Sequence, residues 1–358
     1  TDVQDLYRES AAELRVEHIA VKGSPPLEFR VAHGPHGPQV RPGLSLTWTA
    51  LDPHNLRVPS RALTTATDWA SFNRAADGWL GPAMNLVYAD DQGHIGWRAT
   101  GLIPKREPGD DGSRVHLGPG GTWRGYLPAD EMPRLLDPVE GYIATANNRT
   151  IGTRFPHPVT TEWAGTSRVT RIRTQLAAST TWTAEKTELL QRDGGSTFHE
   201  ALGRTLSPGL TFTQWELVRK AFRSELLARL LTGSSLAPGD YHWQGEDAWI
   251  LAAAQAAPAQ WRQVGLGDKA AFLAACQAEA QASRNWGRPW PEVNELRMKH
   301  PFGLKGGPLA WLFNPPALRI AGSGKSIRAL TGIHGQSMRM VVDFSDLDRT
   351  RLVLPLGE

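Results

Sequence analysis

Side chains that could do chemistry are thinly spread along this sequence. Asn147 and Asn148 stand together at the end of the run Gly141-Tyr-Ile-Ala-Thr-Ala146. Paired amides at a strand end supply hydrogen-bond donors, although a turn-capping asparagine explains the same pattern. His33 and His36 are three apart, but they lie in a Gly/Pro loop with no cysteine or His-Glu-x-x-His partner, which reads as solvated turn histidines. Asp90 and Asp91 precede Gln92-Gly93 and offer oxygen ligands for a hard cation, yet a plain hairpin turn accounts for them better. Gly322-Ser-Gly-Lys-Ser326 resembles the end of a phosphate-binding loop, but position 319, where that loop needs glycine, is Arg319. Thr1 has the chemistry of an amino-terminal nucleophile, whose own α-amine can serve as general base, but it leads into an acidic segment rather than a strand. Cys276, in an Ala-rich stretch, reads as a small core residue.

Composition excludes several classes. The 358 residues carry 39 Lys plus Arg against 36 Asp plus Glu, a net charge of +3, and the charges are scattered. No basic run marks a nucleic-acid partner. One cysteine excludes a disulfide framework within the chain. There is no apolar stretch long enough for a membrane span and no signal-peptide pattern at Thr1-Asp-Val-Gln-Asp-Leu-Tyr7. The 14 Trp, 26 Pro and 36 Gly describe a loop-rich, aromatic-heavy globular protein.

The elements that must position these residues follow from periodicity. Residues 16–22, 27–32 and 44–50 read as short strands, punctuated by Gly and Pro. Residues 67–79 carry apolar positions at helical spacing, with Thr67 or Asp68 as cap. Residues 84–97 read as a hairpin turning at Asp90–Gly93, residues 104–121 as loop, and residues 141–146 as a strand running into Asn147. Helices are expected over 183–192, 213–231, 247–255 and 268–283, and strands return near 337–343 and 352–355. Strands to about residue 182, helices over 183–300 and strands over 301–358 make an α+β or layered protein rather than a regular βαβ winding.

Seven segments, in order and at similar spacing, resemble the β-chain of the penicillin acylase family. They are Asp2-Val-Gln-Asp-Leu-Tyr7, His36-Gly-Pro38, Asn85 to Trp97 with Gly101-Leu-Ile-Pro-Lys-Arg106, Trp123-Arg-Gly-Tyr-Leu-Pro128, Gly141 to Arg149, Ser167-Arg-Val-Thr-Arg-Ile172 and Ser337-Met-Arg-Met-Val-Val-Asp343. The resemblance runs from Asp2 to about Leu354. It implies a four-layer αββα sandwich of the N-terminal-nucleophile hydrolase type with a helical insertion. It also implies a precursor cut into α and β chains, and a β-chain whose first residue, usually serine, attacks an amide carbonyl.

The family's site residues carry over to named positions. Asn147 matches the side-chain donor to the oxyanion, and Arg168 the arginine that orients it. Met84 and Ala146 match positions near the acyl pocket, where a small Ala146 implies room for a long aliphatic chain. Asp2, the Gln4 carbonyl and Asp5 match ligands of a structural Ca2+, a further ligand coming from the α-chain; near His157-Pro158, where another Asp would fall, nothing is acidic. The resemblance places the nucleophile before Thr1, so this stretch alone is expected to be inactive. The implied activity is hydrolysis of an N-acylated small molecule, a β-lactam, acyl-homoserine lactone or lipopeptide, by a periplasmic or secreted enzyme whose partner is the α-chain. The alternatives are a non-catalytic binding or assembly relative, and a nucleophile at Thr1.

Overall fold

The structure, a computed structural model, describes residues 4–10, 12–117, 123–206, 209–233, 237, 239, 245–304, 306–331, 335–336 and 338–353. The chain divides into two compact units, Thr1–Thr145 with Thr150–Thr161, and Ala146–Arg149 with Glu162–Glu358. Strands dominate the first and helices the second.

In the first unit, β1 (Gln4–Arg8), β2 (Glu13–Ile19), β3 (Leu27–Gly34), β4 (Gly37–Arg41) and β5 (Leu44–Trp48) are followed by α1 (Ser60–Thr64), α2 (Trp69–Asp77), β6 (Asn85–Ala89), β7 (Ile95–Ala99), β8 (His116–Leu117) and β9 (Arg134–Leu136). Among the described residues the larger sheet has the order β2-β3-β4-β5-β1-β8, and a three-stranded sheet the order β6-β7-β9. Strand alternation turns Asp5 and Tyr7 of β1 inward.

α2 begins where the sequence predicts, with Asp68 accepting from the Ser71 N–H and Ser71 reciprocating. Such a cap contributes about 1 kcal/mol. Trp69 of α2 lies flat on β7 because Gly96 has no side chain; a Cβ there would meet the indole at 2.2 Å. The hairpin turns at Asp90, whose Oδ1 accepts from the N–H groups of Gln92 and His94. Asp90 Oδ2 accepts from the Tyr88 hydroxyl and Asp91 Oδ1 from Gln92 Nε2, so these oxygens are engaged within the hairpin itself.

The second unit contains α3 (Ser167–Ala177), α4 (Ala184–Gln191), α5 (Thr197–Leu206), α6 (Phe212–Leu230), α7 (Glu246–Gln255), α8 (Pro258–Gln263), α9 (Lys269–Gln281), α10 (Trp290–Val293), β10 (Glu295–Leu296), α11 (Gly307–Phe313), β11 (Leu318–Arg319), β12 (Arg339–Val341) and β13 (Arg351–Val353). Its core gathers Phe198 and Leu202 of α5, Phe222 and Leu226 of α6, Ile250 of α7, Trp261 of α8 and Phe272 and Cys276 of α9. Phe222, Trp261 and Phe272 pack edge to face, with centroids 4.8–6.0 Å apart.

Three expectations are corrected. Residues 141–146 form no strand: no strand among the described residues pairs with them. The helix α3 (Ser167–Ala177) lies ahead of the helical stretch expected from residue 183, and α6 starts at Phe212 under a capping box formed by Thr211 and Gln214. His36 is no solvated turn residue: its Nδ1 bonds Glu9, and its ring stacks on buried Tyr7 at 4.0 Å. His33 ends in β3, opposite Glu13 and Pro38.

Candidate functional site

The residues around Asn147 form an irregular, internally bonded turn. The Ala146 N–H donates to Asn148 Oδ1 at 3.0 Å, and Asn148 Nδ2 donates to the Arg149 carbonyl at 2.8 Å. Asn148 is buried and spends its side chain on closing this turn, whereas Asn147 is exposed. Asn147 has φ of +62°, the left-handed region that asparagine tolerates better than most residues.

Two groups hold Asn147, one just ahead of α3 and one in its first turn. The Ala164 N–H donates to its carbonyl at 2.9 Å, and Arg168 Nη2 donates to its Oδ1 at 2.7 Å. A guanidinium has only donors, so the amide oxygen must face Arg168 and the amide NH2 must point elsewhere. The result is a fixed, exposed pair of N–H donors on a strained backbone.

Arg168 is itself held. Burial lowers its pKa and the charge of Asp247 raises it, the balance lying below the usual arginine value; a guanidinium stays charged regardless. Arg171, almost one turn later, makes a two-point contact with Asp193 at 2.8 and 3.2 Å. Thr197 Oγ1 donates to the Ser167 carbonyl at 3.0 Å, tying the start of α3 to α5.

Behind the 164–168 segment stands buried Asp247, in the first turn of α7. Lys325 Nζ lies 2.5 Å from Asp247 Oδ1, an ion pair without hydrogen-bond geometry. A Cβ at Gly165 would come within 3.0 Å of Asp247 Cβ and 3.1 Å of Oδ2. The absence of a side chain at 165 therefore lets the segment that holds Asn147 lie directly against Asp247.

Lys325 also explains the phosphate-loop likeness. The Ser326 hydroxyl donates to the Gly194 carbonyl at 2.8 Å, and the Gly322 carbonyl accepts from Trp290 Nε1 and Asn294 Nδ2. The loop is consumed by internal bonds, and its lysine answers Asp247.

The other expected residues fall as follows. Met84 precedes β6 and is exposed, its carbonyl accepting from the Thr100 N–H at 2.9 Å; Ala146 is buried. Gln4 is exposed in β1, and Thr1 and Asp2 lie outside the described residues. Asp5 is buried and fully engaged: Arg106 Nη2 reaches its Oδ1 at 2.9 Å, Arg106 Nε its Oδ2 at 3.1 Å, and Trp123 Nε1 the same Oδ2 at 2.5 Å. His157 sits 3.2 Å from Glu131. No group of three or more His, Cys, Asp or Glu that could hold a metal occurs among the described residues. Both oxygens of Asp5 are thus taken by donors from Arg106 and Trp123.

Sequence reading missed the buried chain Ser196–His199–Glu216–Arg219. Ser196 Oγ lies 2.9 Å from His199 Nδ1, and His199 Nε2 lies 2.7 Å from Glu216 Oε2. Arg219 grips both oxygens of Glu216 at 2.8 and 2.7 Å. The residue types suggest a nucleophilic triad, but Ser196 is 2% and His199 0% exposed, so the chain ties α5 to α6. It also missed Gly165 and Asp247, which no local signal distinguishes from loop and helix-start residues.

The family model described as Penicillin amidase matches residues 2–358. Penicillin acylase 2 proenzyme of Pseudomonas sp. (strain SE83) is 27% identical over 428 residues, covering 99% of this chain and 54% of that protein. The chain thus spans about half the length of that relative. Acyl-homoserine lactone acylase QuiP of Pseudomonas aeruginosa is 25% identical, over 51% of this chain and 24% of that protein. Among solved structures, the thermostable penicillin G acylase from Alcaligenes faecalis superposes with a TM-score of 0.58 at 17% identity, covering 80% of this chain and 66% of that one. That likeness carries the fold alone. No described helix is long and apolar enough to cross a membrane.

Proposed function

The chain belongs to the penicillin amidase family, and from that membership we propose that the protein carrying it hydrolyses the acyl amide of an N-acylated small molecule. The observation that carries the reading is the Asn147–Arg168 pair. Attack on an amide carbonyl puts negative charge on its oxygen, and a pre-set N–H donor stabilises that charge at no reorganisation cost. Asn147 Nδ2 is such a donor, and Arg168 prevents its amide from turning over.

In this reading the nucleophile is an amino-terminal serine outside these residues, with its α-amine as general base. Its oxygen bonds to the carbonyl carbon, the amine of the substrate leaves with a proton, and water then releases the acyl group as a carboxylic acid. Asn147 serves the oxyanion in both steps. On the acyl side we assign Ala146, whose small side chain leaves space for a long aliphatic chain. The complete fold is a four-layer αββα sandwich built with an α-chain from the same precursor, in an exported protein. The relatives' names support β-lactams and acyl-homoserine lactones as substrates, and acylated lipopeptides are the third candidate.

The test uses the full-length protein with penicillins and acyl-homoserine lactones of graded acyl length. Released amine, and the acyl adduct trapped on the amino-terminal residue, are measured by mass spectrometry. Release of amine matched by free acid is the expected result. Absence of both from every substrate would leave a non-catalytic relative with the same fold.

A further inference from the structure

Both oxygens of buried Asp5 are satisfied from within the chain. We propose that Arg106 closes the family's calcium position in this chain, so that an internal cation takes the role of the metal. The inference is independent of the catalytic reading, because it concerns only what neutralises a buried carboxylate.

Asp5 and Arg106 have side chains 0% and 2% exposed. A buried carboxylate needs a compensating charge and hydrogen bonds to both oxygens. The guanidinium supplies a planar two-point contact and the Trp123 indole a third donor, so both oxygens have partners. A divalent ion at Asp5 would need oxygen ligands at about 2.3–2.6 Å and would sit beside a fixed positive charge.

Space is closed as well as charge. Gly112, at φ +77°, passes so near that a Cβ would lie 2.7 Å from Asp5 Oδ1 and 2.9 Å from Arg106 Nη2. The sequence position where the family pattern would put a further Asp is His157, 3.2 Å from Glu131, which is itself 3.5 Å from Lys105; Asp110 is engaged through its Oδ1, which accepts from the Gly112 N–H at 3.0 Å. All of these residues belong to the first unit.

Thermal unfolding of the full-length protein, in chelator and in millimolar calcium, tests the proposal. The midpoints should agree within about 1 °C, since a ligand that does not bind cannot shift them. Arg106→Met and Asp5→Asn should each lower the midpoint by about 5–10 °C, equally with and without calcium, because each leaves one buried partner stranded. Terbium, read through tryptophan-sensitised emission, serves should Arg106→Met fail to fold; wild type and Asp5→Asn should then emit alike. A saturable rise of the wild-type midpoint with calcium, or terbium emission that calcium displaces and Asp5→Asn abolishes, would overturn it.

Discussion

Replacing Asn147 by glycine isolates the donor from the backbone that presents it. At φ +62° glycine is unstrained, and the Ala164 N–H can still reach the main-chain carbonyl. What disappears is the amide NH2 and its anchor to Arg168. Loss of one oxyanion donor costs about 10²–10³ in kcat, or about 2.7–4 kcal/mol. KM should change little, because the charge appears only after attack. Stability should fall by about 1 kcal/mol or less, since Asn147 is exposed and the guanidinium can take water instead. Asn147→Ala provides the comparison: the same donor is lost, with about 1–2 kcal/mol of added left-handed strain. Pre-steady-state hydrolysis of a chromogenic N-acyl amide by the full-length protein, alongside thermal unfolding, reads both effects. Equal kcat losses with a lower midpoint for alanine are expected. A glycine variant with kcat within about threefold of wild type would refute the assignment of Asn147 as donor.

Gly165→Ala should act on the same site from behind. Its Cβ, 3.0 Å from Asp247 Cβ, must displace either Asp247 or the segment holding Asn147. A destabilisation of about 1–3 kcal/mol is expected together with reduced kcat; full activity in the destabilised variant would show that the segment does not position Asn147. Glu216→Gln leaves the Arg219 charge buried without its partner and should cost about 3–5 kcal/mol in urea unfolding. Burial pushes the Glu216 carboxyl up, but Arg219 and then His199 outweigh it and hold the pKa well below the ordinary 4.5. The ionised pair therefore stabilises fully above that value, and the gap between wild type and variant should narrow as pH falls below it; a gap that widens in acid would contradict the assignment. Burial first, and then the charges of Glu225 and Glu279, push the Cys276 thiol up to about 12. A thiol reagent at neutral pH should label it only after denaturation, and rapid labelling of the native protein would show that α9 opens readily.

What the sequence disclosed was whatever is decided within a few residues. α2 was legible because Asp68 caps it and its apolar positions recur at helical spacing; the β6–β7 hairpin was legible because Asp90 folds its own turn. Residues 141–146 have strand-like composition, but a strand also needs a partner, which local pattern does not contain. Pairings across long stretches of chain were hidden for the same reason. Glu9 finds His36 27 residues on, and Asp5 finds Arg106 101 residues on. Asn147 and Arg168 were located through family likeness, since an asparagine after an apolar run reads as a turn on residue type alone. Their hydrogen bond came only with the structure.

The left-handed backbone at Asn147 also limits how this position can evolve. A single base change in an asparagine codon gives Asp, His, Ser, Thr, Tyr, Ile or Lys. β-branched threonine and isoleucine are strained at positive φ, and ionised aspartate offers no N–H. Glycine, the residue most at ease there, lies more than one base away and brings no side chain at all. Conformation and hydrogen-bonding chemistry thus narrow the same codon from opposite directions, leaving asparagine with few viable mutational neighbours.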